Sequence, residues 1–152
     1  MGQNQRNAEI RQLFFPDYLN IFYKGACELI SFYGYPGCGT CRKAEKWLKA
    51  HHVPYTYIHI VEAPPTKVEL KQYLDQSGLP IKKFFNTSGR RYRELGMKDK
   101  LNDASEDELL NWLSSDGMLI KRPITTDQEN VTVGFDDTKF AEVWGQKQSL
   151  GF

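Results

Sequence analysis

Cys38 and Cys41 stand three positions apart in Tyr35-Pro36-Gly37-Cys38-Gly39-Thr40-Cys41, between a short apolar run and a segment of helical periodicity. A Cys-x-x-Cys pair can be a redox couple, half of a zinc site, or two small core residues. Each alternative needs different surroundings, so the flanking sequence decides among them.

Leu29-Ile30-Ser31-Phe32-Tyr33 is short, apolar and aromatic and ends at Gly34 and Pro36, so it reads as a buried strand. Thr40 opens a helical stretch in which Ala44, Trp47, Leu48 and Val53 share one face. Residues 55–60 form a second strand, rich in β-branched and aromatic side chains. Thr66-x-x-Glu69 is a capping box for a helix through about Gln76, which Gly78 ends, and residues 81–85 suggest a further short turn or helix. Residues 88–94 read as a basic loop, and Ser105-x-x-Glu108 caps another helix. Met118-Leu119-Ile120 reads as a third strand stopped by Pro123. Residues 131–135 are a fourth, paired with it across the polar turn 125–130. Asp136 or Asp137 caps a last helix carrying Phe140, Val143 and Trp144.

The order βαβ, helices, ββ, α implies a parallel first pair and an antiparallel closing pair. The expected fold is α/β: a thioredoxin-like mixed four-stranded sheet with an inserted helical segment, and Cys38 at the carboxyl end of the first strand.

That placement weighs against zinc. His51 and His52 stand at the far end of the cysteine helix, about 15 Å from the thiols at roughly 1.5 Å per residue, so no metal is expected. The two histidines read as exposed residues at a helix carboxyl end, which the dipole favours. Gly37, Gly39 and Pro36 mark a tight loop and not a packed interior, which weighs against passive core cysteines. Facing the free N–H groups of the first helical turn, Cys38 gains thiolate character, and Cys41, one turn on, is placed to resolve a mixed disulfide. Thr40 is read as the helix cap and a hydrogen-bond partner of Cys38. Arg122-Pro123 can be cis, which would bring a permanent cation near the Cys38 thiolate or a bound oxyanion.

These residues sit in longer motifs. Tyr33-Gly34-x-Pro36-x-Cys38-Gly39-Thr40-Cys41-Arg42-Lys43-Ala44, Pro64-Pro65, Lys83-Phe84-Phe85-Asn86-Thr87-Ser88-Gly89, Tyr92-Arg93-Glu94-Leu95, Leu119-Ile120-Lys121-Arg122-Pro123-Ile124 and Val133-Gly134-Phe135 resemble the glutaredoxin-type arsenate reductase family, which includes Spx-type transcription regulators. The resemblance spans roughly residues 29–144. It implies Cys38 as nucleophile, with a cis Arg122-Pro123 beside it. In arsenate reductases it also implies three arginines on the oxyanion, and release of arsenite by glutathione and glutaredoxin. Arg122 matches one of those arginines, but Asn86 and Phe135 occupy the other two places. Losing two charge-assisted bonds at roughly 1.5–3 kcal/mol each implies much weaker oxyanion binding. Arg90, Arg91 and Arg93 are candidate substitutes. Arg93, within the Tyr-Arg-x-Leu pattern, leads them.

The expectation is a thiol-disulfide oxidoreductase acting on a small thiol or disulfide, closest to members lacking the full arginine set. Cys38, Cys41 and Arg122 are the catalytic candidates, and Thr40, Asn86, Arg93 and Pro123 bind or orient substrate. Glutathione or a thioredoxin or glutaredoxin partner supplies electrons, with no bound cofactor. The alternatives are a true arsenate reductase and a Spx-like redox regulator that binds RNA polymerase.

A formal net charge of +1, from 20 basic and 19 acidic side chains, gives no argument for direct nucleic-acid binding. No apolar run approaches the roughly 20 residues that span a bilayer. Three cysteines do not make a disulfide framework, and a cytoplasmic monomer is expected. Residues 29–146 are read as the domain and 147–152 as a tail. Residues 1–28 read as an extension: a tag, a helix of its own, or a misassigned start. The last is suggested because codons for Lys24-Gly25-Ala26 can contain a ribosome-binding sequence, with Leu29 encoded by a TTG start.

Overall fold

The computed structural model describes residues 29–147, so Cys27, the 1–28 extension and residues 148–152 lie outside it. Among the described residues the sheet has four strands in the order β2-β1-β3-β4: β1 (Ile30–Gly34), β2 (Tyr55–His59), β3 (Ile124–Thr126) and β4 (Val131–Val133). β1 pairs parallel with β2 and antiparallel with β3, and β3 pairs antiparallel with β4. This is the mixed sheet expected of a thioredoxin-like fold. Helix α1 (Gly39–Ala50) connects β1 to β2. Helices α2 (Lys67–Ser77), α3 (Arg90–Glu94), α4 (Met97–Asp103) and α5 (Glu106–Ser115) form the inserted segment, and α6 (Asp137–Trp144) closes the chain.

The two faces of the sheet bury separate apolar clusters, as a sheet covered on both sides requires. Ile30 and Phe32 point to one face and pack with Ala44, Leu48, Phe140 and Trp144 from α1 and α6. Tyr33 points to the other, against Leu70, Tyr73, Leu110 and Leu113 of α2 and α5. Both capping boxes form: Thr66 with Glu69, and Ser105 with Glu108. Gly78 ends α2 at φ 66°, a left-handed position that favours glycine.

Three local expectations need correction. Met118-Leu119-Ile120 is not a strand. Residues Gly117–Leu119 form a 3-10 turn whose first free amide, Met118 N–H, is taken by the Asp116 carboxylate at 2.9 Å. Ile120 keeps only an isolated antiparallel bridge to Phe85. The third strand begins beyond Pro123, where Thr125 and Thr126, read as polar turn residues, are β-branched and buried. The basic segment, read as a loop, contains helix α3. Its Arg90–Glu94 pair, at 2.7 Å, is spaced i,i+4. His51 is more than an exposed end. It is half-buried, stacks on Trp47 at 3.9 Å between ring centroids, and its Nδ1 lies 2.8 Å from the Trp47 carbonyl.

The β3–β4 hairpin turns on Asp127. Its Oδ1 accepts the N–H groups of Glu129 and Asn130 at 3.0 and 2.7 Å, while Lys147 pairs with its Oδ2 at 2.8 Å. A buried carboxylate with these donors keeps its charge, and burial opposing ionisation is outweighed, so its pKa lies below the ordinary value. The hairpin holds β4 against β3, and residues 131–135 line the same cleft as Cys38.

Candidate active site

The amino end of α1 is capped by a thiol. Cys38 has an extended backbone (φ −92°, ψ 115°), donates its N–H to the Tyr35 carbonyl at 3.0 Å, and accepts the Cys41 N–H on Sγ at 3.3 Å. The cap is therefore Cys38 and not Thr40. Because its sulfur takes the amide of the third helical residue, the helix starts at Gly39, one residue earlier than expected. Thr40 lies in the first turn, exposed at the rim of the cleft.

The two thiols are driven in opposite directions. Burial works against charge on Cys38, but the hydrogen bonds from the Cys41 side chain and backbone, then the hydrogen bond and charge of Arg122, outweigh it. The Cys38 pKa lies below the ordinary thiol value. Cys41 is 1% exposed, and burial together with its hydrogen bond to Cys38 pushes it up to about 12. The outer sulfur is therefore the first of the pair to ionise, and the inner one keeps its proton.

Arg122 is fixed from two sides. Its guanidinium carbon lies 5.1 Å from the centre of the Tyr35 ring, and Nη1 donates to Met118 Sδ at 3.5 Å. Tyr35 is itself held edge-on to His59, ring centroids 5.5 Å apart. A side chain at Gly37 would meet Tyr35 Cε1 at 2.9 Å, so the glycine leaves room for the ring. The Arg122-Pro123 bond is cis, Pro123 is buried, and its carbonyl accepts the Gly134 N–H at 2.8 Å. Tyr35 and Met118 had no role in the sequence reading. Their link to Arg122 depends on how the loop before α1 meets the turn before β3, and no local spacing encodes that.

A cleft of about 760 Å³ opens over Cys38, with Thr40, Asn86, Arg122 and Phe135 in its wall. Asn86 is fixed by its backbone, donating to the Leu119 carbonyl at 2.8 Å and accepting the Gly89 N–H at 3.0 Å. Phe135 is half-buried and packs edge-on against Phe140 at 4.8 Å. The places where oxyanion-binding arginines are expected thus hold a neutral amide and an aromatic ring. Arg93 is exposed on α3 and does not line the cleft. Arg90 pairs with Glu94, and Arg91 with Asp116, each at 2.7 Å. Among the described residues, no three His, Cys, Asp or Glu side chains are grouped to hold a metal ion. None of the described helices is long and apolar enough to cross a membrane.

Comparison with known proteins bears on this geometry. The ArsC family model matches residues 33–143. Protein YusI of Bacillus subtilis (strain 168) is 61% identical over 115 residues, covering 76% of this chain and 98% of that protein. Regulatory protein MgsR of the same organism is 30% identical over 107 residues, covering 70% of this chain and 83% of its own. A crystal structure of an ArsC family related protein from Bacteroides fragilis superposes with a TM-score of 0.74 at 42% identity, covering 78% of this chain and 98% of that one.

Proposed function

This chain belongs to the ArsC family, and from that premise we propose that it is a thiol-disulfide oxidoreductase with Cys38 as nucleophile and Cys41 as resolving thiol. The observation that carries the reading is the sulfur of Cys38 capping α1, in contact with the buried, protonated Cys41. The Cys38 thiolate attacks one sulfur of a disulfide R–S–S–R′. A Cys38–S–S–R bond forms, and R′–S⁻ leaves and takes a proton from water. Once Cys38 carries no charge, its share of the upward shift at Cys41 is relieved. Cys41 then bonds to Cys38 as its proton passes to the departing R–S⁻, leaving R–SH and a Cys38–Cys41 disulfide. Two external thiols, from glutathione or from a thioredoxin- or glutaredoxin-type protein, return two electrons and restore the dithiol.

Arg122 stabilises the anionic sulfur or orients the carboxylate of glutathione. Thr40 and Asn86 offer a hydroxyl and an amide to the bound substrate, and Pro123 sets the turn that presents Arg122. Arg93, which does not line the cleft, is given no role in binding. We place the reaction in a reducing, cytoplasmic setting, with no resident cofactor.

Arsenate is the discriminating substrate. Two missing arginines at about 1.5–3 kcal/mol each amount to roughly 10²–10⁴-fold in oxyanion affinity. With glutathione as reductant, kcat/KM for a low-molecular-weight mixed disulfide should exceed that for arsenate by at least about 10²-fold. Parity between the two substrates, or inertness toward the disulfide, would contradict the reading.

The 30% identity to regulatory protein MgsR favours a second reading, a redox-sensing regulator of the Spx type that binds RNA polymerase. Co-purification with polymerase from cells, combined with no exchange activity, would select it.

A further inference from the structure

We propose that the cleft takes its substrate as an extended polypeptide, which pairs as a fifth strand with the free edge of β4 and delivers a disulfide-bonded cysteine to Cys38. This rests on the oxidoreductase reading and names its substrate class.

The cleft follows a strand edge. All three residues of β4, Val131, Thr132 and Val133, line it, and Gly134 and Phe135 continue the lining past the strand end. Side chains of a strand alternate between faces, so a pocket lying on one face would meet every second residue. An unbroken run means that the cleft meets the backbone itself. Among the described residues β4 is the last strand of the sheet and pairs only with β3.

The hydrogen-bond register gives the direction of its free groups. Gly134 N–H donates to the Pro123 carbonyl at 2.8 Å, and Asp127 N–H donates to the Asn130 carbonyl at 3.3 Å. In an antiparallel ladder, bonded pairs alternate with non-bonded ones. With Thr125 opposite Thr132, that pair is bonded, and the pairs Ile124–Val133 and Thr126–Val131 are not. The N–H and C=O groups of Val131 and Val133 therefore point away from β3, toward the cleft. Two donors and two acceptors at strand spacing fit an extended backbone.

The edge leads to the thiol. Gly134 bends the strand at φ 80°, and the next residue, Phe135, packs in the same apolar cluster as Cys38. At the opposite end the hairpin turn contains Gln128 at φ 78°, whose carbonyl accepts from the Gln76 amide. A segment pairing along residues 131–133 thus places its next residues over Cys38. Lys121, Arg122 and Lys139 line the same cleft against one acid, Asp136, so acidic flanks on the peptide are favoured.

The chemistry is that of the preceding section with R as the peptide's cysteine. Cys38 Sγ bonds to the peptide sulfur, the other half of the disulfide leaves as a thiolate, Cys41 displaces the peptide thiol, and two external thiols supply the two electrons that reset the pair.

The test uses the whole chain with glutathione as reductant. One substrate is an eight-residue acidic-flanked peptide whose cysteine is disulfide-linked to a chromogenic thiol. The control is a small disulfide releasing the same chromophore. Methylating the peptide's backbone nitrogens one at a time should lower kcat/KM about three- to tenfold at alternate positions and leave intervening positions unchanged. The peptide trapped on Cys41→Ser protein should also slow amide exchange at Val131 and Val133. Equal rates for peptide and small disulfide, or an N-methyl series without a period of two, would overturn the inference while leaving the oxidoreductase reading intact. A chain inert toward the small disulfide would overturn both.

Discussion

Cys38→Ser should lower disulfide exchange by about 10³-fold or more, while Cys41→Ser should take a single turnover and stop at a stable mixed disulfide on Cys38. The asymmetry follows from the two environments. Cys38 caps α1 beside Arg122 with its pKa drawn down, whereas Cys41 is buried with its own pushed up to about 12. A serine hydroxyl at 38 can still accept the Cys41 N–H, so the helix cap survives and the fold is kept. What is lost is the thiolate, since an alcohol is not ionised at neutral pH. At position 41, serine leaves the attacking sulfur in place but cannot displace the adduct. Intact mass after one equivalent of disulfide separates the cases: no adduct on Cys38→Ser, one adduct on Cys41→Ser, and loss of two hydrogens in the native chain. An adduct on Cys38→Ser at the native rate would assign the nucleophile elsewhere.

The second large effect is on stability. Trp144→Ala should cost about 3–5 kcal/mol, a large share of the roughly 5–15 kcal/mol that a domain of this size possesses. Trp144 is 0% exposed, lies in the cluster behind α1, and donates its indole N–H to Thr132 Oγ1 at 3.0 Å. Truncation opens a cavity and leaves a buried hydroxyl without its donor, so two penalties add. Trp144→Phe keeps most of the volume and should cost less than half as much. Urea titration of the three proteins would show it as a fall in midpoint at nearly constant slope. A Trp144→Ala midpoint within error of the native one would mean that α6 contributes little to the core.

Much of this was legible in the sequence wherever the signal was local. Both capping boxes, the β1–α1–β2 unit and the placement of Cys38 at the helix start follow from turn residues, periodicity and spacing. The reading failed where a long-range contact overrides local preference. Met118 and Leu119 look like strand residues, yet they form a turn, capped locally by Asp116 and packed through Gly117 against the distant Ile60 backbone. Gly117 sits where any Cβ would lie 2.1 Å from the Ile60 carbonyl oxygen. Thr125 and Thr126 look like turn residues, yet pairing with β1 on one side and β4 on the other buries them. Helix α4 carries no cap signal: its N-cap is Gly96 at φ 61°, and no side chain satisfies its first amides.

The site divides in the same way. Cys38 and Cys41 stand three positions apart in sequence and their roles follow from a single helix start. Arg122 reaches them only through the fold, and a family motif pointed to it where spacing could not. The clamp of Tyr35 and Met118 on Arg122 joins two separate stretches of chain, and Arg93, singled out by its motif, lies outside the cleft wall.

The central claim is that Cys38 ionises more readily than an ordinary thiol because of its place at the end of α1, beside Arg122. The rate of its alkylation by iodoacetamide against pH, with the modified residue located by peptide mass, measures this directly. Lowering the pKa of an acid moves its ionisation to lower pH, so the rate should reach half its plateau below the ordinary thiol midpoint of about 8.5, with Cys41 unlabelled across the same range. A midpoint at or above that value, or labelling of Cys41 before Cys38, would contradict the account.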